Sequence, residues 1–115
     1  VNKDMVTSNI MPLIKTIRKN PIAKKTPIIF IEQCIIDIGS IHNEFINSVI
    51  EKNDELNKQV DKAINKGEKD LFMIKQIGGI DEDSEATVDG IHFNDLGFQR
   101  YADHFLKNIK ELDIL

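Results

Sequence analysis

Between residues 87 and 105 the chain reads TVDGIHFNDLGFQRYADHF, and within it Asp89 and His92 are the pair best suited to chemistry. A histidine works as a base when an acceptor holds its proton-bearing ring nitrogen, fixing the tautomer and stabilising the imidazolium that forms. A carboxylate three residues earlier on a turn can reach Nδ1 and leave Nε2 to face a nucleophile. Two plainer readings stand beside this one. Asp-Gly favours a turn, and Asn94 or Asp95 suits the N-cap of a helix beginning near Leu96. A metal centre would need ligands beyond this pair.

The remaining chemistry-bearing residues carry weaker signals. His104 lies beside the apolar stripe of the last helix and reads as a surface or packing residue. His42 sits near the start of the long middle helix, where exposure is expected. Cys34 is the only cysteine, so no internal disulfide is possible. It follows an apolar run, which points to a buried thiol. Ile35 and Ile36 supply none of the basic surroundings that a reactive thiol needs.

The elements that must position Asp89 and His92 alternate in type. Val6, Ile10, Leu13, Ile14 and Ile17 share one helical face, with Thr7, Ser8 or Asn9 as a cap and Pro12 near the first turn or at a kink. Asn20-Pro21 ends this helix. Ile28 to Ile31 is a short apolar run without alternation, as expected of a strand covered on both faces. The loop from Gln33 to Ile41 carries Ile35, Ile36 and Ile38 just past the strand, where they could line or underlie a substrate cleft. From Phe45 to Ile64 apolar residues recur at helical spacing until Lys66-Gly67. Leu71 to Ile74 reads as a second buried strand, and an acidic loop from Asp81 to Glu85 follows Gly78-Gly79. Phe98, Tyr101, Ala102, Phe105, Ile109 and Leu112 stripe the last helix.

Strands alternating with helices imply βαβ units and a parallel sheet. Reactive groups in such sheets gather at the carboxyl ends of the strands, where the loop carrying Asp89 and His92 begins. Two strands are few for a doubly wound sheet, so the chain reads as part of a larger domain whose apolar sheet edges need a partner. That partner is the rest of the same domain or another copy of the chain.

Composition excludes several classes. A net charge of −4 and the absence of a basic patch argue against binding nucleic acid. No apolar run approaches the roughly 20 residues of a membrane span. No signal peptide is visible, but a chain starting at Val1 reads as a mature form or a fragment. Compartment therefore stays open, with secretion or a periplasmic location allowed for the full-length protein. No cofactor motif is present.

The segment ATVDGIHFNDLGFQRYADHF, residues 86 to 105, resembles the last block of the SGNH (GDSL-type) hydrolases. In that family an Asp-x-x-His pair supplies the acid and base of a Ser-His-Asp triad. PLIKTIRKN and TPIIFIE are similar to the helix and fourth strand of its bacterial GDSL-like lipase or acylhydrolase branch. The resemblance implies a three-layer flavodoxin-like α/β fold, here its C-terminal α-β-α-β-α part over residues 1 to 115. It also implies ester hydrolysis through an acyl-serine, with His92 as base and Asp89 as its orienting acid. Asn2 stands where the family's oxyanion asparagine would fall. The family's Gly-Asp-Ser nucleophile block is absent from these 115 residues, and Ser8, Ser40, Ser48 and Ser84 lack its context. The expected substrate is a small-molecule or carbohydrate ester. The competing expectations are a non-catalytic binding or assembly module and an acyltransferase acting on a carbohydrate.

Overall fold

The computed structural model describes residues 1–35, 43–81 and 83–114. Its elements are α1 (Lys3–Arg18), β1 (Ile28–Ile31), α2 (Asn43–Asn65), β2 (Leu71–Ile74) and α3 (Asp95–Leu112), with a 3-10 turn at Pro21–Ala23. The two strands pair in parallel, with Ile28 opposite Leu71 and Ile31 opposite Ile74. This is the α/β architecture expected from the alternation of strand and helix. The expected middle of the β1–α2 connection, with Ile36, Ile38, Ser40 and His42, lies outside the described residues.

Helix α1 begins earlier than its expected caps. Asn2, not Thr7, Ser8 or Asn9, occupies the N-cap, and its Oδ1 accepts from Met5 N at 3.0 Å. Asp4 in the first turn and Lys15 and Arg18 in the last suit the helix dipole. Pro12 is consequently interior. It cannot donate to the carbonyl of Ser8, but both residues are exposed, so water can satisfy that carbonyl. Leu13 is also exposed, while Met11 packs inward in its place.

Ile10, Ile14, Val60 and Ala63 of α1 and α2 close over Phe30 and Leu71, with Ile28 and Met73 packed against them. Side chains alternate along a strand, so Ile28, Phe30, Leu71 and Met73 form one face, and Ile29, Ile31, Phe72 and Ile74 form the other. Ile74 is fully buried, and α3 packs against β2. Gly67, at φ +99°, turns the chain out of α2, where Glu68 N returns to Ala63 O at 3.1 Å. Helix α2 departs from its expected stripe. Phe45, Ile50 and Ile64 are exposed, and Asn53, Glu55 and Gln59 are buried instead. In α3 Ile109 is buried, whereas Phe98 keeps 63% of its surface exposed. Among the described residues, no helix is long and apolar enough to cross a membrane.

Arg18 fixes the direction of α1 against the sheet. Its guanidinium donates to the carbonyls of Ala23, Thr26 and Lys69, which precede the two strands. The last turn of α1 therefore lies at the amino ends of β1 and β2. Its first turn, with Asn2, points to the carboxyl ends.

Candidate active site

Residues 86–94 fold back on themselves at the carboxyl side of β2. Thr87 and Phe93 form an antiparallel bridge, Val88 N donates to His92 O at 2.9 Å, and Asn94 N donates to Ala86 O at 3.1 Å. The tip turns at Gly90, whose φ of +83° disfavours any side chain. Thr87 Oγ1 accepts from Gly90 N at 3.0 Å. This turn brings two amides onto one carboxylate oxygen. Asp89 Oδ1 accepts from Ile91 N at 2.9 Å and from His92 N at 2.8 Å.

The other oxygen, Oδ2, lies 2.6 Å from His92 Nδ1. The Asp-Gly turn and the carboxylate–imidazole pair are thus one structure rather than alternatives. The His92 amide, the His92 ring and the Ile91 amide, in that order, hold the Asp89 carboxyl down to about 2. It is ionised at neutral pH and accepts from Nδ1–H. His92 keeps 75% of its side-chain surface exposed, and among the described residues Nε2 has no hydrogen-bond partner. The expected cap role falls to Asn94, whose Oδ1 accepts from Gly97 N at 2.9 Å.

The platform beneath the dyad joins loops from both strands. Cys34, Ile80 and Ala86 are buried together, with Phe93 and Tyr101 packed against them. Cys34 is the buried thiol expected, and desolvation pushes it up to about 11. Its Sγ donates to Gln76 Oε1 at 3.0 Å. Of the isoleucines in the loop after β1, Ile35 is described and is exposed, while Cys34 packs against Ala86 at one foot of the loop that carries the dyad. Burial likewise raises the Tyr101 phenol. His104 bridges α3 to the end of β2 by donating from Nε2 to Lys75 O at 2.6 Å, which accounts for it as a packing residue.

The serines of the described residues lie elsewhere. Ser8 donates to Asp4 O within α1, Ser48 is on the exposed side of α2, and Ser84 is in the acidic loop at φ +64°. Among the described residues no three His, Cys, Asp or Glu side chains converge as metal ligands. One contact that residue-level reading did not foresee is Arg100, which holds the acidic loop. It donates to both oxygens of Asp83 at 2.7 Å and to Ile80 O at 3.0 Å. Arg100 holds the Asp83 carboxyl at about 2. The acidic run was the available signal, because a cation relieves the mutual repulsion of neighbouring carboxylates.

Comparison with known proteins shows the family. Residues 1–110 match the model of the GDSL-like Lipase/Acylhydrolase family. The chain belongs to this family. It superposes on the crystal structure of a "putative GDSL-like lipase" from Bacteroides ovatus ATCC 8483 with a TM-score of 0.87 and 30% identity, over 96% of this chain and 32% of that one. It also superposes on the salicylyl-acyltransferase SsfX3 from a tetracycline biosynthetic pathway, with a TM-score of 0.79 over 98% of this chain and 34% of that one. At 14% identity the second likeness concerns the fold alone. Comparison with curated protein sequences gives no match. The α-β-α-β-α arrangement on a parallel two-stranded sheet is therefore the part of a GDSL-like α/β fold that was expected. The chain spans about a third of the length of both solved structures.

Proposed function

We propose that these residues carry the acid-base half of an ester hydrolase whose serine nucleophile is supplied by polypeptide outside them. The observation that supports this most directly is the 2.6 Å contact from Asp89 Oδ2 to His92 Nδ1, with no hydrogen-bond partner on Nε2 among the described residues. Nε2 takes the proton from the serine hydroxyl as its oxygen bonds to the ester carbonyl carbon. The imidazolium that forms is stabilised by ionised Asp89. It then returns the proton to the leaving alcohol as the ester C–O bond breaks, leaving an acyl-serine. Water repeats the sequence, releasing the carboxylic acid and free serine.

Asn2 is proposed as an oxyanion donor. Helix α1 starts at the carboxyl ends of the strands, and Asn2 engages Oδ1 in capping, which leaves Nδ2 to donate. An amide placed there would stabilise the negative oxygen of the tetrahedral intermediate. The substrate class is an ester of a small molecule or carbohydrate. The sheet edges are proposed to be covered by the rest of the domain or, in its absence, by another copy of the chain.

Turnover of p-nitrophenyl acetate tests the assignment. The 115 residues alone are expected to show negligible hydrolysis, since a base without a nucleophile contributes only about 10²–10⁴-fold. The full-length protein is expected to hydrolyse the ester, and His92→Ala to abolish it. Strong activity from the 115 residues alone would place the nucleophile within them. A full-length protein inactive on a panel of acyl esters would favour a non-catalytic module.

A further inference from the structure

Gly97 lies in the first turn of α3, is buried, and has no side chain between the helix and Ala86. A Cβ on Gly97 would overlap the carbonyl oxygen of Ala86 and stand 3.1 Å from both the Ala86 carbonyl carbon and Phe93 Cβ. The first two of these atoms are backbone and cannot swing aside. Ala86 and Phe93 are also the two feet of the loop that carries Asp89 and His92. On the same turn Asn94 donates from Nδ2 to Glu85 O at 2.6 Å while its Oδ1 accepts from Gly97 N. Asn94 N completes the attachment by donating to Ala86 O.

From this geometry we infer that Gly97 and Asn94 are positioning residues for the Asp89–His92 dyad. They seat the start of α3 directly on the backbone of residues 85–86 and thereby set where His92 Nε2 points. The inference rests on the triad reading above. Helix capping alone does not explain the arrangement. A cap needs only the Oδ1 of Asn94, whereas its amide group is spent on Glu85, and glycine is a poor helix former that a cap does not require. A side chain at position 97 must lift residues 86 and 93 away from α3 by roughly the width of a methyl group. Misplacement of a catalytic group by about 1 Å can lower the rate about 10²-fold.

The test uses the full-length protein with Gly97→Ala, Asn94→Asp and His92→Ala. Asn94→Asp keeps the capping oxygen and removes the donor to Glu85, so it separates clamping from capping and serves where Gly97→Ala fails to fold. Gly97→Ala is expected to lower kcat by about 10²-fold with KM changed less than about threefold. Asn94→Asp should lower kcat about tenfold, also at near-constant KM. In both variants the downfield proton resonance of His92 Nδ1–H should broaden or move, while far-UV circular dichroism is retained. Wild-type kcat and an unchanged resonance in folded Gly97→Ala or in Asn94→Asp would overturn the positioning role. If His92→Ala itself retains hydrolysis, the triad reading has failed independently of Gly97.

Discussion

Ile14 and Ala63 in the core between α1, α2 and the sheet are wholly removed from water, whereas the His92 side chain keeps three quarters of its surface exposed. The two regions are held by different means. The core coheres through apolar burial, which is non-directional. The 86–94 loop is fixed by amides on one carboxylate, a positive-φ glycine and one close backbone approach. Hydrogen bonds weaken steeply once bent or stretched, so the loop can lose its function without the protein losing its fold. Scaffold and site should therefore be separable by mutation.

The sharpest break is His92→Ala in the full-length protein. If His92 serves as the proposed triad base, its loss is expected to lower kcat by about 10⁶-fold, to the level left by binding and oxyanion contacts, with only a small change in thermal unfolding. Asp89→Asn should lower kcat by about 10⁴-fold, because an amide in place of the carboxylate favours the wrong imidazole tautomer. Steady-state kinetics on p-nitrophenyl acetate checks both. A stability loss matching the rate loss in either variant would mean that site and scaffold are one unit.

The opposite break is Ile14→Ala. Truncating a fully buried isoleucine typically costs about 2–5 kcal/mol, readable in urea unfolding, while kcat per folded molecule should hold. Acid titration sharpens the comparison further. Asp89 and Asp83 both sit at about 2, below the roughly 3.9 of an unfolded aspartate. Depressed carboxyls contribute stability above the unfolded value and lose it as pH falls through the folded one. The loop and its latch should therefore loosen between about pH 4 and 2 while the apolar core between α1 and α2 persists. Carboxyl carbon NMR should give midpoints near 2 for both residues, and midpoints near 3.9 would mean these contacts do not form in solution. The smallest effect is expected of Arg100→Lys, which keeps the charge but loses the paired donation to Asp83. A slight fall in Tm that shrinks with added salt is the expected result.

Much of this molecule is legible in local pattern. The strands at Ile28–Ile31 and Leu71–Ile74 are the apolar runs themselves. The periodicity of α1 is legible, but its start at Lys3 is not, because a proline inside a helix is tolerated only where its neighbours leave the freed carbonyl in water. Pro12 is tolerated inside the helix because it faces solvent. The polar residues on the inner side of α2 could not be anticipated. Glu55 is buried because Gln59 and Thr7, the latter 48 residues away, donate to it and lower its pKa.

The Asp89–His92 pair was fixed by sequence because both partners lie on one turn, where three residues and a glycine suffice to bring carboxylate to imidazole. Helix and strand identity followed for the same reason, since periodicity is a property of neighbouring residues. Tertiary structure alone decided that Cys34 would meet Gln76, 42 residues away, and that Arg100 would grip Asp83, 17 residues away. It alone also decided that Gly97 would rest on the backbone of Ala86. Such contacts depend on how separate elements are placed in space, and a side chain's type constrains its distant partner only after packing has set the distance between them.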